Sequence, residues 1–453
     1  MTATSPCTAS PLADYAVVGL GVTGLSCVRY LAARGVSVLA MDSRAAPPNF
    51  DVVQREFPNV KVMAGMLDAE TLCRCRHIVL SPGLSLSEPA IQAARDAGVE
   101  VIGDIELFAR AANAPVIAIT GTNGKSTVTT LVARMLEADG YRVRVGANLG
   151  TPALDLLEVV APDCYVLELS SFQLETTTSL APRVACILNI TPDHLDRYTS
   201  FEQYRDAKAR ILARAEQVVL NGDDEVARVL ASVAPRTLFS LGAPAVGDYG
   251  LVVAAQGEQL VGPQGVLLAA DALKIAGRHN IANALAAIAV CHAFGARGTV
   301  LLAALASFTG LDHRAQLVAT IDDVRYINDS KATNSGAACA TIRGLCHDHG
   351  GVLIAGGEPK ESDFSEFAAT VVAHMHTVVL IGRAASQFAA AIDGRIVTLF
   401  ATDMRGAVAA ATGAARPGEM VLLSPACASF DMFANYAARG LAFRDAVLER
   451  SHA

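Results

Sequence analysis

The sequence predicts an α/β protein of three domains in series: a Rossmann-like N-terminal unit, a central P-loop ATPase unit with a parallel sheet, and a Rossmann-like C-terminal unit. Three observations carry this reading. Short apolar runs alternate with helical stretches along most of the chain, the rhythm of βαβ units around parallel sheets. Two glycine-bearing turns each follow an apolar run and open a helical one, at Gly19–Gly24 and at Gly121–Gly124. The length, 453 residues, suits about three domains at roughly 150 residues each. The expected divisions are 1–104, 105–311 and 312–453.

Composition narrows the class. Hydrophobic residues at 52% and charged residues at 18% describe buried cores, not disorder. Basic residues number 36 against 44 acidic, a net charge of −8 with no long basic run. Nucleic acid is therefore not an expected partner, because binding a phosphate backbone needs clustered Lys and Arg. Ten cysteines form no CxxC pair, and Cys73-Arg-Cys75 has the wrong spacing for a zinc or redox motif. They read as reduced core thiols of a cytoplasmic protein. Residues 1–11 lack the basic start and apolar centre of a signal peptide. The apolar segment 281–296 is interrupted by Asn283 and His292 and is too short to span a bilayer. A monomer acting on small molecules, without membrane insertion, is expected.

In the first unit, strands are expected at 15–20, 36–41, 77–80 and 99–102, with helices at 24–34 and 90–97. Gly19-Leu-Gly21-Val22-Thr23-Gly24 follows a strand and opens a helix, and Asp42 ends the next strand. That geometry sets a diphosphate on a helix N-terminus and an acid near a ribose hydroxyl. NAD would fit it. A UDP-type ligand is favoured because a separate phosphate loop lies downstream. The bland alternative is glycines that only permit close helix–strand packing.

The second unit opens with the most informative stretch of the chain. The apolar run 116–120 ends in Gly121-Thr122-Asn123-Gly124-Lys125-Ser126-Thr127, and a helical pattern follows. Strand, glycine turn and helix N-terminus make a phosphate cradle in which backbone N–H groups face the anion, Lys125 adds charge and Ser126 can ligate Mg²⁺. Two residues, not the usual four, separate the first glycine from Gly-Lys. Strands follow at 164–169 and 185–189, and Glu168 at the end of a buried strand suits Mg²⁺, which takes one or two carboxylates plus phosphate oxygens and water. Asp193-His194 follows another strand end, where ligands sit in such sheets; His194 fits a metal or a structural role equally. Asn280 and Asn283 lie three apart at the start of an apolar helix, able to read an adenine edge or merely to cap. Residues 241–274 look like a small antiparallel addition of unassigned role.

The third unit expects strands at 324–327, 351–355, 377–381 and 420–423. Its strand exits are polar: His313-Arg314 before the first, then Asp329-Ser-Lys331-Ala-Thr333-Asn334, then Lys360, then Ser429-Phe430-Asp431. Cys346-His-Asp-His349 invites a metal reading, but adjacent residues do not easily close a tetrahedral site, so an exposed loop is expected. His374 and His376 are expected at a strand edge.

Taken together, residues 119–127, Leu167-Glu-Leu-Ser-Ser-Phe-Gln173, Asp193-His194, His279-Asn-Ile-Ala-Asn283, His313-Arg314 and Asn328-Asp-Ser-Lys-Ala-Thr-Asn334 resemble the Mur ligases, over essentially the whole chain. These are ATP-dependent amide-bond ligases of bacterial peptidoglycan synthesis. The strings 165–177, 329–334 and 423–431 look most like the branch that adds glutamate to UDP-N-acetylmuramoyl-L-alanine. The resemblance implies ATP and Mg²⁺ at two sites, an acyl-phosphate intermediate, and a catalytic set of Lys125, His194, Lys208 and Lys331. It implies ATP contacts from residues 121–127 with Asn280, Asn283, Arg314, Asp329 and Lys331. Metal ligands would be Ser126, Glu168, His194 and Lys208, the last as a carbamate. The UDP substrate would meet Gly21, Val22, Thr23, Asp42, Ser43, Arg44, Ser81, Pro82, Gly83, Asn148, Ser170 and Gln173. D-glutamate would meet Thr333, Lys360, Ser429, Phe430 and Tyr436.

The chain departs from close relatives at Gly356-Gly-Glu-Pro-Lys360, at Phe430 and at Tyr436, all near the expected amino-acid pocket. The alternatives are a sister ligase or folylpolyglutamate synthetase relative, an L-glutamate-adding variant, and an NAD-binding oxidoreductase or regulator with a vestigial P-loop.

Overall fold

The computed structural model describes residues 11–194, 197–275, 277–345, 350–359 and 363–450. The first sheet joins β1 (Ala13–Val18), β2 (Val38–Asp42), β3 (Lys61–Ala64), β4 (Cys75–Leu80) and β5 (Glu100–Ile102) in the order β3-β2-β1-β4-β5, all pairs parallel. The chain reverses direction across the sheet between β1 and β4, so the crevice for a ligand opens beside their carboxyl ends. Helix Val22–Ala32 begins two residues before the expected start because Gly21 caps it in extended conformation.

The central sheet joins β6 (Val116–Thr120), β7 (Val143–Ala147), β8 (Cys164–Glu168), β9 (Val184–Ile187), β10 (Gln217–Asn221) and β11 (Arg236–Phe239) in the order β11-β10-β9-β6-β8-β7. Every residue of β6, β8 and β9 is buried, as expected of parallel strands covered on both faces. Side chains alternate between the two cores. Val116, Ala118, Tyr165, Leu167, Ala185 and Ile187 face one, while Ile117, Ile119, Cys164, Val166, Val184 and Cys186 face the other. The second core is roofed by helices Lys125–Ala138 and Arg278–Phe294. By the same period of two, Glu168 points to the side of the helix that follows the phosphate loop.

The stretch expected to be a small antiparallel addition is a three-stranded antiparallel sheet of β12 (Gly250–Ala254), β13 (Gly257–Gly262) and β14 (Gly265–Ala269). The third large sheet joins β15 (Gln316–Ile321), β16 (Val324–Asn328), β17 (Gly351–Gly356), β18 (Thr377–Ile381), β19 (Val397–Phe400) and β20 (Met420–Leu423) in the order β15-β16-β20-β17-β18-β19. It is parallel except for the edge strand β15. The α/β architecture with parallel sheets thus holds in all three units. His374 closes helix Ser365–His374 instead of edging a strand. His376, just before β18, sits 2.9 Å from Glu419. The segment 346–349 and Lys360 lie outside the described residues.

Candidate active site

Register brings the chemistry together. Ile119 of β6 pairs with Glu168 of β8, and Thr120 pairs with Ile187 of β9. The phosphate loop, Glu168 and the Asn189–His194 segment therefore leave the sheet side by side. They line one wall of a cleft of about 1360 Å³. The opposite wall comes from the third unit, with Arg314, Asp329, Lys331, Thr333 and Asn334.

The loop is built for close approach. Gly124 has φ +84°, and a Cβ there would lie 2.6 Å from the Asn283 Oδ1. Asn189 holds the loop from the neighbouring strand: its Oδ1 accepts the Asn123 N–H at 2.8 Å and its Nδ2 donates to the Asn123 carbonyl at 3.1 Å. Lys125 Nζ donates to the Gly121 and Thr122 carbonyls, 2.9 Å each. Burial pushes the Lys125 ammonium below its ordinary range, against the nearby charges of Glu168 and Asp193.

Glu168 is 3% exposed. Its Oε1 accepts from Asn148 Nδ2 at 2.6 Å, while its Oε2 is buried without a hydrogen-bond partner. A buried carboxylate oxygen with no donor is costly and suits a cation held beside the phosphate loop. Ser126 Oγ accepts from Arg314 Nη2 at 2.7 Å, a bond from the third unit to the helix that follows the loop. Among the described residues, no group of three or more His, Cys, Asp or Glu stands together as a metal site. The donor set present fits a hard cation completed by phosphate oxygens and water.

Lys208 is 2% exposed, and its Nζ donates to the Gly121 carbonyl at 2.9 Å and lies 4.6 Å from the Tyr204 ring centroid. Burial first, then the charge of Lys125, push its pKa well below the usual lysine range. His194 has φ +56°, a left-handed conformation that is strained for a non-glycine residue. It packs edge-on to Phe172 at 4.8 Å, with Asp193 Oδ2 3.7 Å from its Nε2. Asp193 Oδ2 also accepts from Asn334 Nδ2 at 3.1 Å, a second bond between the walls.

At the start of helix Arg278–Phe294, Asn283 Nδ2 donates to Asn280 Oδ1 at 3.1 Å, and both side chains line the cleft. Asp329 is buried, accepts from Ser424 Oγ at 2.9 Å and the Ala315 N–H at 3.1 Å, and is raised to about 6 by burial. Lys331 Nζ lies 3.9 Å from the centroid of the Tyr436 ring. Thr333 lines the cleft. Ser429 is buried, Phe430 is exposed, and neither lines it. These residues belong to a second ring of loops around the β20 exit, tied together by Arg439. The Arg439 guanidinium, 1% exposed, donates to Ser330 Oγ and to the Ser330, Cys427 and Ala428 carbonyls at 2.8–3.2 Å.

Of the residues expected to meet a UDP moiety, Gly21, Val22, Thr23, Asp42, Ser43, Arg44, Ser81, Pro82 and Gly83 lie at the carboxyl ends of β1, β2 and β4, away from this lining, whereas Asn148, Ser170 and Gln173 follow β7 and β8. Gly19 is required after β1, since φ is +96° and a Cβ would stand 2.7 Å from the Ser81 Cβ. Gly24 is equally constrained, its Cβ 1.8 Å from the Gly19 carbonyl oxygen. Of the three glycines of the motif, Gly21 alone faces open space, as Gly83 does on the neighbouring turn, so the motif serves packing at two positions and access at one. Asp42 accepts from the Leu20 N–H at 2.7 Å and from both Nε and Nη2 of Arg44 at 2.9 and 2.6 Å, and the Arg44 guanidinium holds its carboxyl down at about 2. Val22 and Thr23 open the helix, and Ser43, Pro82 and Gly83 flank the same edge. Asn148 reaches the main cleft. Ser170 and Gln173 form a capping box at the start of helix Ser171–Glu175, and Gln173 Nε2 donates to the buried Asp104 at 3.0 Å. Ser170 lines the cleft and Gln173 does not.

The sequence placed Asn189 and Asn334 in polar strand exits without a role of their own, and Tyr204 and Arg439 were not singled out. The first two were findable on that ground. The last two sit in ordinary helical patterns and were not.

Comparison with known proteins agrees with this geometry. Family profiles match residues 13–103 (Mur ligase MurD-like, N-terminal domain), 119–291 (Mur ligase middle domain) and 313–427 (Mur ligase, glutamate ligase domain). The UDP-N-acetylmuramoylalanine--D-glutamate ligase of Nitrosococcus oceani is 48% identical over 434 residues, covering 96% of each chain. The protein of the same name from Pseudomonas savastanoi pv. phaseolicola is 50% identical over 435 residues, 95% of this chain and 97% of its own. Among solved structures, UDP-N-acetylmuramate-alanine ligase MurC from Thermotoga maritima superposes with a TM-score of 0.59 at 18% identity, covering 97% of this chain and 99% of its own. E. coli FolC in complex with ADP gives the same TM-score at 20% identity, covering 77% of this chain and 94% of its own. The chain belongs to the Mur ligase family.

Proposed function

We propose that the cleft joins D-glutamate to the terminal carboxylate of UDP-N-acetylmuramoyl-L-alanine at the expense of ATP, a step in peptidoglycan precursor synthesis. The observation that carries the reading is a phosphate loop with a buried carboxylate beside it, one oxygen of which has no hydrogen-bond partner, faced by the polar strand exits of the third unit. Relatives of that name that match nearly full length support the choice of substrates.

The chemistry follows from the residues. A carboxylate is a poor electrophile because resonance spreads its charge. Attack of its oxygen on the γ-phosphorus of ATP expels ADP and leaves an acyl phosphate. The glutamate amine, as the free base, then adds to the acyl carbon. The bond to phosphate breaks, and the surplus proton on nitrogen is released. Lys125 gives up its two carbonyl contacts to neutralise phosphate charge, aided by the N–H groups of the loop, as expected for a transfer driven by positioning and electrostatics. Arg314 and Lys331 bring cationic charge from the opposite wall. Asn280 and Asn283 receive the adenine, with Asp329 ordering the strand exit from which Lys331 projects. Thr333, Ser429, Phe430, Tyr436 and Lys360 take the amino acid. The loops after β1, β2 and β4, with Asn148 and Ser170, take the UDP-sugar; Gln173 supports them through its capping box.

Mg²⁺ supplies neutralisation of phosphate charge when bound. Ser126 and Glu168 would hold one ion, and His194 with Lys208 a second. An ammonium would repel that second ion. Lys208 is therefore assigned as a carbamate: burial and Lys125 favour its neutral amine, the form that adds CO₂. The protein acts as a cytoplasmic monomer in this reading.

The test is phosphate release from ATP with Mg²⁺ and UDP-N-acetylmuramoyl-L-alanine, offering D-glutamate, L-glutamate and other amino acids in parallel. Release that requires the nucleotide sugar and D-glutamate together is expected. Release with another acceptor moves the protein to a sister activity, and no release with any acceptor ends the ligase reading.

A further inference from the structure

Arg197 of the central unit reaches the first unit through its guanidinium. Its Nη1 donates to the Pro82 carbonyl at 2.6 Å and its Nη2 to the Leu84 carbonyl at 2.8 Å. Nη2 also reaches Glu175 Oε2 at 3.2 Å. The guanidinium carbon lies 4.0 Å from the centroid of the Phe172 ring, and the side chain is only 13% exposed. Such contacts are expensive to desolvate and hold geometry well, because the planar fork presents several donors in fixed directions.

The two ends of this contact are both parts of the site. Pro82 and Leu84 belong to the turn after β4, closed by the Leu84 N–H on the Ser81 carbonyl at 2.9 Å. At the other end the Arg197 N–H donates to the carbonyl of His194 at 2.9 Å, and His194 itself stands in a left-handed conformation. Phe172, under the guanidinium, is the ring that packs edge-on to His194. One side chain thus fixes the turn in the first unit, and its own backbone fixes the residue facing the cleft in the second.

We propose that Arg197 is a positioning residue that couples the nucleotide-binding turn 81–84 of the first unit to the placement of His194 in the cleft. Occupancy of the turn and readiness of the cleft are then linked, since whatever rigidifies the turn also rigidifies the anchor of His194. The coupling rests on the assignment of the turn to the UDP end of the substrate.

The test uses the full chain and two variants, Arg197→Met, which keeps the stem without the fork, and Arg197→Lys, which keeps the charge and one donor direction. Calorimetry measures binding of UDP, and phosphate release measures turnover. Loss of charge-assisted bonds to two carbonyls should weaken UDP binding by about 10- to 100-fold in Arg197→Met, with kcat also reduced and the KM for ATP within about twofold of wild type. Arg197→Lys should recover part of both. A fall in kcat alone, with UDP binding and every KM unchanged, would mean only a smaller folded fraction and would overturn the proposal. Weaker UDP binding with kcat unchanged would leave Arg197 a local contact and also overturn the coupling. If Arg197→Met does not fold, the same two readouts on Arg197→Lys decide. Wild-type protein that does not bind UDP at all would instead remove the functional assignment of the turn.

Discussion

Gly124→Ala concentrates several features of the cleft in one methyl group. The backbone there has φ +84°, which costs a residue with a Cβ roughly 1–2 kcal/mol. The new Cβ would lie 2.6 Å from Asn283 Oδ1 and 3.3 Å from Leu188 Cδ1. Asn283 must turn away, breaking its bond to Asn280, worth about 1 kcal/mol. The combined penalty is about 2–3 kcal/mol, and it divides in one of two ways. If the loop keeps its shape, the loss appears as reduced resistance to urea. If the loop relaxes, it appears as weaker ATP binding, on the order of 30- to 150-fold at the full penalty. Urea unfolding with and without Mg-ATP, together with the KM for ATP, measures both parts. Unchanged unfolding and unchanged KM in the same variant would refute the reasoning about the loop and the asparagine pair.

Three further perturbations have defined outcomes. Lys125→Ala should lower kcat by on the order of 10²–10³, as removal of a charge-stabilising donor does, with the fold unchanged by circular dichroism; turnover near wild type would remove Lys125 from phosphate stabilisation. Lys208→Ala should lose activity and regain part of it with added short carboxylic acids, which replace a carbamate; loss without rescue, or no loss, would contradict the carbamate. Asp104 is buried and raised to about 6 from an ordinary 3.8, so the folded state binds a proton more tightly than the unfolded state. Its contribution is present below pH 3.8 and is lost as pH rises through 6. Asp104→Asn should remove that fall, worth about 3 kcal/mol for a shift of roughly two units, and a pH–stability profile equally steep in wild type and variant between pH 4 and 7 would refute it.

Much of this was legible in the sequence because parallel sheets write themselves as apolar runs with polar exits. The runs 116–120, 164–168 and 351–356 are continuous because both faces are covered. Their exits stand out because the chain turns polar where the strand ends. The phosphate loop was readable for the same reason, with Gly124 required by its positive φ. The edge strands β3, β7, β11, β15 and β19 were missed because they are short or partly exposed, and their pattern does not separate from that of loops; the interior strand β10 was missed too, although its centre is buried. Pairings across units were not legible at all. Arg314 on Ser126, Asn334 on Asp193 and Arg197 on Pro82 join residues 188, 141 and 115 positions apart, and no local pattern encodes such meetings. The glycines of the first turn show the opposite limit. The motif left ligand contact and close packing both open, with Gly21 alone of its glycines named for the UDP end, and Gly19 and Gly24 are explained by packing against Ser81 and the Gly19 carbonyl.

The central claim is that the cleft activates a carboxylate by phosphorylating it, and isotope tracing tests it most directly. UDP-N-acetylmuramoyl-L-alanine labelled with heavy oxygen in its terminal carboxylate is converted with ATP, Mg²⁺ and D-glutamate, and the released phosphate is weighed by mass spectrometry. Transfer of a single labelled oxygen into each phosphate is predicted. Unlabelled phosphate alongside amide product would contradict the acyl-phosphate account.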